Sequence, residues 1–254
     1  MTTVDLDHGE LTLVGRLREA SNVTTVGRIG EVPVVYKPVA GERPLWDFPD
    51  GTLAGREVAA FLVSEALGWD VVPRTWLRGG PHGPGMVQLW REPDPASEAV
   101  TVVPAGTVPE GWRQVFDGLD AEDHPVSLVH EDSPALRRMA VFDLIVNNAD
   151  RKGGHVLAMA GGHRHGVDHG LTFHADPKLR TVLWGWVGEP LSDEEVAGVA
   201  RVRYALDGSL ADDLDDLVTA AEVEACAARC DTLLADPVFP APLPHLPAIP
   251  WPPF

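Results

Sequence analysis

Apolar and polar positions alternate with period two through the first part of the chain. LTLVGRL, TTVGRI and VPVVYKP, within residues 11–37, read as three short strands, with Ser21-Asn22 in the first turn and Gly30-Glu31 in the second. Residues 38–52 are rich in Pro, Gly and Asp and read as a loop. In GREVAAFLVSEALG the apolar residues Val58, Phe61, Leu62 and Ala66 recur at helical spacing. Glu57 falls in the first turn of that helix and Gly68 is its stop. VVPRTWL and GMVQLWRE follow as strands, and a hydrophilic, Pro-containing stretch from about 92 to 110 reads as a linker.

From Ser133 the pattern becomes helical. A serine cap precedes a proline at the first helical position, and residues 134–148 are apolar over most of their surface, as in a buried central helix. A turn bearing Asp150-Arg151 comes next, then a short strand, a hairpin and a second strand ending in Asp168-His169-Gly170. Residues 192–205 and 210–234 predict two further helices. The last 19 residues contain eight prolines, so an extended tail is expected there, on the surface or mobile. The expected organisation is a β-rich unit over 1–92, a mainly helical unit over 93–236 and a Pro-rich tail over 237–254, an α+β chain.

Composition narrows the function. At 254 residues the chain is long enough to bury a substantial core. Its net charge of −18 argues against binding bulk nucleic acid or an anionic membrane surface. The longest apolar runs are too short to span a bilayer, and MTTVDLDHGE lacks the basic-then-apolar order of a signal peptide, so a cytoplasmic protein without a stable membrane anchor is expected. Cys226 and Cys230 are one helical turn apart and are expected to be free, buried thiols. The histidines at 155, 163, 165, 169 and 174 form no H-E-x-x-H pattern, and the Gly-rich turn around His163 and His165 reads as a solvent-facing loop. Neither a G-x-x-x-x-G-K-[ST] nor a G-x-S-x-G motif is present.

Lysine occurs only at positions 37, 152 and 178, so each can be weighed. Side chains two apart share a strand face, which aims Lys37 with Val35 toward a cleft. Alone, Lys37 is explained as a strand-end surface residue and Glu57 as an acid favoured by the helix dipole. Together they match the strand-lysine and helix-glutamate pair that orients nucleotide phosphates. Asp150 and Asp168 each follow a short element, 18 positions apart. Turn carboxylates commonly cap backbone groups, but phosphoryl transfer needs two such acids, one for the attacking hydroxyl and one for magnesium. Arg151 can hold the loop or a phosphate oxygen.

In order along the chain, these motifs resemble the phosphatidylinositol 3-/4-kinase-like branch of the protein-kinase-like superfamily, especially the type II phosphatidylinositol 4-kinases and small actinobacterial proteins of that type. Asn148-Ala149-Asp150-Arg151-Lys152-Gly153-Gly154-His155-Val156 resembles N-T-D-R-G-N-D-N-W, and Asp168-His169-Gly170-Leu171-Thr172-Phe173 resembles D-N-G-L-A-F. Trp184-Gly185-Trp186, Tyr36-Lys37-Pro38 and Val72-Pro73-Arg74-Thr75 resemble W-x-W, F-K-P and V-P-R-T, and Gly85 to Trp90 resembles the nucleotide-hinge strand.

The resemblance implies a two-lobed protein-kinase-like fold that uses ATP and Mg2+. Lys37 would bind the α/β-phosphates, oriented by Glu57. Gln88, Leu89 and Trp90 would contact adenine, and Ser21 and Asn22 would turn over the phosphates. Asp150 would be the catalytic aspartate, and Asp168 the metal ligand. His155 stands where the family has an asparagine as second metal ligand, and imidazole is a poorer magnesium ligand than an amide oxygen. The cysteine-rich membrane-anchoring insertion of type II enzymes is absent, so a lipid substrate does not follow from the fold. The expectation is a kinase acting on a hydroxyl of a small molecule, a protein or an inositol lipid. The alternatives are an AMP-transferring enzyme of the same fold, a nucleotide-binding pseudokinase scaffold, and an interaction protein whose Pro-rich tail docks a partner.

Overall fold

The period-two segments of the first part pair into one antiparallel sheet. In the computed structural model, which describes residues 4–16, 24–43, 45–48 and 52–254, its strands are β1 (Leu11–Arg16), β2 (Thr25–Ile29), β3 (Val32–Pro38), β4 (Thr75–Gly80) and β5 (Gly83–Leu89). Their order is β1-β2-β3-β5-β4, which makes β3 central. Val34 and Tyr36 point into a small apolar cluster with Leu11, Ile29 and Val87, while Val35 and Lys37 on the opposite face are half-buried. Pro33 therefore lies near the start of a central strand, where its carbonyl accepts from Trp90 N at 3.1 Å.

Helix α1 (Leu53–Leu67) is inserted between β3 and β4. Thr52 caps it by accepting from Gly55 N, and the Glu42 carboxylate accepts from Leu53 N and Ala54 N at 3.0 and 2.8 Å. Two acceptors thus serve N–H groups that a helix start leaves without partners. The helix begins earlier than its pattern suggested, so Glu57 lies beyond the first turn. Its deepest face is Ala59, Ala60, Val63 and Leu67, whereas Phe61, Leu62 and Ala66 are only partly buried. Gly68 ends it in the left-handed conformation, φ 72°.

The stretch expected as a linker over 92–110 contributes a strand to a sheet completed by residues 112–131, for which the pattern predicted no element. Strands β6 (Val100–Pro104), β7 (Trp112–Leu119) and β8 (Pro125–Glu131) form a second antiparallel sheet in the order β6-β8-β7. Prolines at a strand's first or last residue do not interrupt a ladder, so a proline count is a poor guide to disorder here.

Helix α2 (Pro134–Val146) is the buried central helix, with Leu136, Met139, Phe142 and Ile145 fully enclosed. It ends at Asn147, φ 54°, and is followed by the short hairpin of β9 (Val156–Ala158) and β10 (Arg164–Gly166). Helices α3 (Asp193–Ala205), α4 (Ser209–Leu214) and α5 (Ala220–Ala235) pack around it in the main apolar cluster. The single helix expected over 210–234 is broken because Thr219 and Glu222 form a capping box that starts α5 afresh. Cys226 and Cys230 are free and buried.

The Pro-rich tail is extended and anchored. Leu191 N donates to Pro237 O, Thr181 N and Trp184 Nε1 both donate to Ala248 O, and Gly153 N donates to Pro253 O. Phe239 is buried against Trp186. The chain is thus of the α+β class expected, β-rich in its first part and helical later. Among the described residues no helix is long and apolar enough to cross a membrane.

Candidate functional site

Strand β3, helix α1 and the segment after β10 each deliver one charged group to a shared cleft. Lys37 Nζ lies 2.5 Å from Glu57 Oε1 and 2.8 Å from Asp168 Oδ1. The second Glu57 oxygen accepts from His169 N at 3.0 Å, so one buried carboxylate ties the strand lysine to the backbone beside Asp168. Burial opposes the charge on Lys37, but Asp168 and Glu57 outweigh it and hold the ammonium above its ordinary pKa. Lys37 in turn holds Asp168 well below the usual carboxylate range. Glu57 moves the other way, raised by burial and only partly compensated by Lys37.

Asp150 faces the same cleft from the turn after α2. Its main-chain N–H donates to Asn148 Oδ1 at 3.0 Å and its carboxylate lies 3.6 Å from Lys152 Nζ. Burial raises its pKa to about 6, with the Asp168 charge adding to the effect and Lys152 opposing it. His155 Nδ1 lies 2.8 Å from the Asp150 carbonyl, to which it donates, and its Nε2 lies 3.4 Å from Asp168 Oδ2. Burial lowers the pKa of this imidazole, with the Asp168 charge opposing it. With Nδ1 committed to that carbonyl, the neutral ring presents the Nε2 lone pair beside a carboxylate oxygen, a donor set that a cation satisfies.

Two cavities of about 300 and 380 Å³ adjoin here and share Thr24, Lys37 and Asp168 as walls. Glu57, Asp150 and Glu42 line the first. Val35, Gln88, Leu89, Trp90, His155 and Leu157 line the second, which is mainly apolar. The Gln88 side chain is held by Thr75 Oγ1 at 2.8 Å, and the N–H groups of Leu89 and Trp90 already donate to Arg74 O and Pro33 O. Residues 88–90 therefore offer this cavity surface rather than those donors. Ser21 and Asn22 lie outside the described residues. An apolar cavity of about 370 Å³ beneath the tail shares no wall with this cleft.

Beneath the cleft Arg151 takes the loop-holding role of the two its turn position offered, on a partner that motif reading missed, Asp143. Arg151 is fully buried, with Nε and Nη2 donating to both oxygens of Asp143 at 2.8–3.2 Å. Its Nη1 reaches His155 O and Val167 O, and its Nη2 lies 2.8 Å from His169 Nε2. Arg151 thus fastens the Asp150 loop to the Asp168 loop and is not available to a phosphate. The signal was an aspartate, Asp143, within the otherwise apolar run of residues 139–146, since a carboxylate buried there must be paired.

Against known proteins, the chain is 49% identical over 273 aligned residues to Protein Rv2133c of Mycobacterium tuberculosis (strain ATCC 25618 / H37Rv), covering 100% of this chain and 98% of that one. The chain belongs to the family of Protein Rv2133c. No protein-family model matches it. Among solved structures, the crystal structure of a Helicobacter pylori proinflammatory kinase, CtkA, aligns with a TM-score of 0.44 and 12% identity, over 93% of this chain and 95% of that one.

Proposed function

We propose that this member of the family is an ATP- and Mg2+-dependent phosphotransferase of the phosphatidylinositol 3-/4-kinase-like type, passing a γ-phosphoryl group to a hydroxyl of its acceptor. The observation that carries this reading is Lys37 held between Glu57 and Asp168, with Asp150 facing the same cleft. Four residues far apart in the sequence converge in the arrangement that phosphoryl transfer requires.

In this reading the apolar cavity beside Leu89 and Trp90 takes the adenine and Lys37 binds the α/β-phosphates, kept charged and pointed by Glu57. Asp150 accepts the acceptor's hydroxyl proton while the γ-phosphorus–oxygen bond to the nucleotide breaks and the bond to the acceptor oxygen forms. Asp168 and His155 Nε2 are the groups that would hold the metal, which would supply charge neutralisation to the phosphates when bound. The acceptor is a small molecule, a protein or an inositol lipid. One feature favours a second reading, a nucleotide-binding pseudokinase: His155 presents nitrogen where magnesium prefers oxygen.

A thermal-shift titration with ATP, with and without Mg2+, tests the assignment beside Asp168→Ala. A ligand bound only by the folded state raises the melting temperature, by about 2.7 kcal/mol of stability at a hundredfold excess over Kd. A magnesium-dependent rise lost in the variant is expected. Absence of any shift at millimolar ATP would remove the kinase reading, while a shift without phosphate turnover would select the pseudokinase.

A further inference from the structure

A second constellation lies outside the cleft, where the β9–β10 hairpin meets the loop after α1. His163 and His165 flank Arg164, so by strand alternation the two imidazoles share a face and the guanidinium takes the other. Arg164 is locked to β8, its Nε and Nη2 donating to the two Glu131 oxygens at 2.8 and 2.7 Å. Gly166 N donates to Val71 O at 2.7 Å, holding the strand against the loop that carries Asp70. Both supports are independent of the imidazoles, which are therefore placed in advance.

His163 Nε2 lies 3.3 Å from His165 Nδ1 and 3.7 Å from Asp70 Oδ2. The rings meet edge to face, 4.4 Å between centroids. A tetrahedral ion bound at about 2.0–2.1 Å to two imidazoles separates their nitrogens by about 3.3–3.4 Å. The imidazole pair has that separation already, and the exposed Asp70 carboxylate has a few tenths of an ångström to close toward His163 Nε2. Without an ion, the one N–H of His163 Nε2 must serve both His165 Nδ1 and the Asp70 carbonyl at 2.9 Å. With one, that proton moves to the ring's other nitrogen and two lone pairs converge. His165 is buried whereas His163 and Asp70 are partly open, leaving a fourth position for water or the Asp70 carbonyl.

We propose that Asp70, His163 and His165 bind a zinc-type divalent cation that fastens the β9–β10 hairpin to the loop after α1. Two nitrogens and one carboxylate suit zinc or cobalt and disfavour magnesium, which demands six oxygens. The other cluster of potential ligands among the described residues, Asp120, Glu122 and His124, is wholly exposed. Asp120 there accepts from the main-chain N–H of Glu122 and His124, which accounts for it as a turn.

The test is equilibrium dialysis of the chelator-stripped full chain against Zn2+, in the Asp168→Ala background so that the cleft does not take up the ion. One equivalent is expected, weakened roughly tenfold or more by His163→Gln and unaffected by Asp120→Asn with His124→Ala. His163 is partly exposed, so its variant keeps the fold, and its metal-free melting temperature checks this. Co2+ is expected to give the visible bands of a four-coordinate site, absent in His163→Gln. No binding, binding indifferent to His163→Gln, or binding lost with the Asp120/His124 pair would overturn the proposal.

Discussion

Two ionic clusters lie one behind the other in this protein and are built to opposite ends. In the rear cluster Arg151 and Asp143 are both fully buried, and the guanidinium is also hydrogen-bonded to two main-chain carbonyls and His169. In the front cluster Glu57 is buried, but the Asp168 side chain is half exposed and Lys37 has about a fifth of its surface open, at 51% and 19%. The rear charges have their partners permanently, so they serve as scaffold. The front charges face cavities and can exchange partners with a ligand at modest desolvation cost, because water already reaches them. Burial separates holding from doing more clearly than residue type does, since each cluster pairs a cation with carboxylates.

The comparison can be broken most severely from behind. Asp143→Ala strands a buried guanidinium, and removing one partner of such a pair costs about 3–5 kcal/mol. A chain of this size loses roughly 2–4 °C of melting temperature per kcal/mol, so calorimetry should record a drop on the order of 10 °C. A drop of only a degree or two would mean that Arg151 finds other partners and the two clusters are not distinct in kind.

Asp150→Asn probes the front with nearly the opposite signature. Turnover is expected to fall by about 10²–10⁴-fold while the ATP-dependent thermal shift persists. Because burial raises the Asp150 pKa to about 6, the wild-type rate should decline as pH drops through that value and the base is protonated. The stability sign follows from the same shift. A raised carboxylate favours the folded state while protonated, and that contribution is lost as pH rises through about 6. At neutral pH Asp150→Asn should therefore melt no lower than the wild type. Rate profiles and melting curves across pH 5–8 check both halves, and undiminished turnover in the variant would remove Asp150 from the chemistry.

The smallest expected effect concerns the metal. His155→Asn replaces a nitrogen donor by an amide oxygen and should tighten magnesium several-fold relative to manganese, read as the metal dependence of the ATP thermal shift. An unchanged Mg2+/Mn2+ ratio would place His155 outside the metal shell.

Much of this was legible in the chain itself. Strong periodicities such as VPVVYKP and the cap-and-proline start at Ser133-Pro134 report local physics, and those elements stand where the pattern puts them. Lys37, Asp150 and Asp168 could be singled out because lysine is scarce and each of these acids follows a short element, and Glu57 by its pairing with Lys37 in the motif series. Weak local signals misled. The prolines of residues 92–110 concealed the first strand of a three-stranded sheet, and those of the tail concealed its anchoring by Ala248 and Pro253. Strand pairing and docking depend on partners distant along the chain, which no local window contains.

The sequence by itself determined the α+β class, the strongly periodic elements and the charged residues available for chemistry, because periodicity, caps and residue type are local properties. Only the tertiary structure decided which charges became scaffold and which stayed open to the cleft. It buried Arg151 against Asp143, left Asp168 open beside Lys37, and brought Asp70 to a pair of histidines 93 and 95 positions away. Burial and proximity between distant segments set the dielectric around each charge, and that environment determines what a given side chain can do.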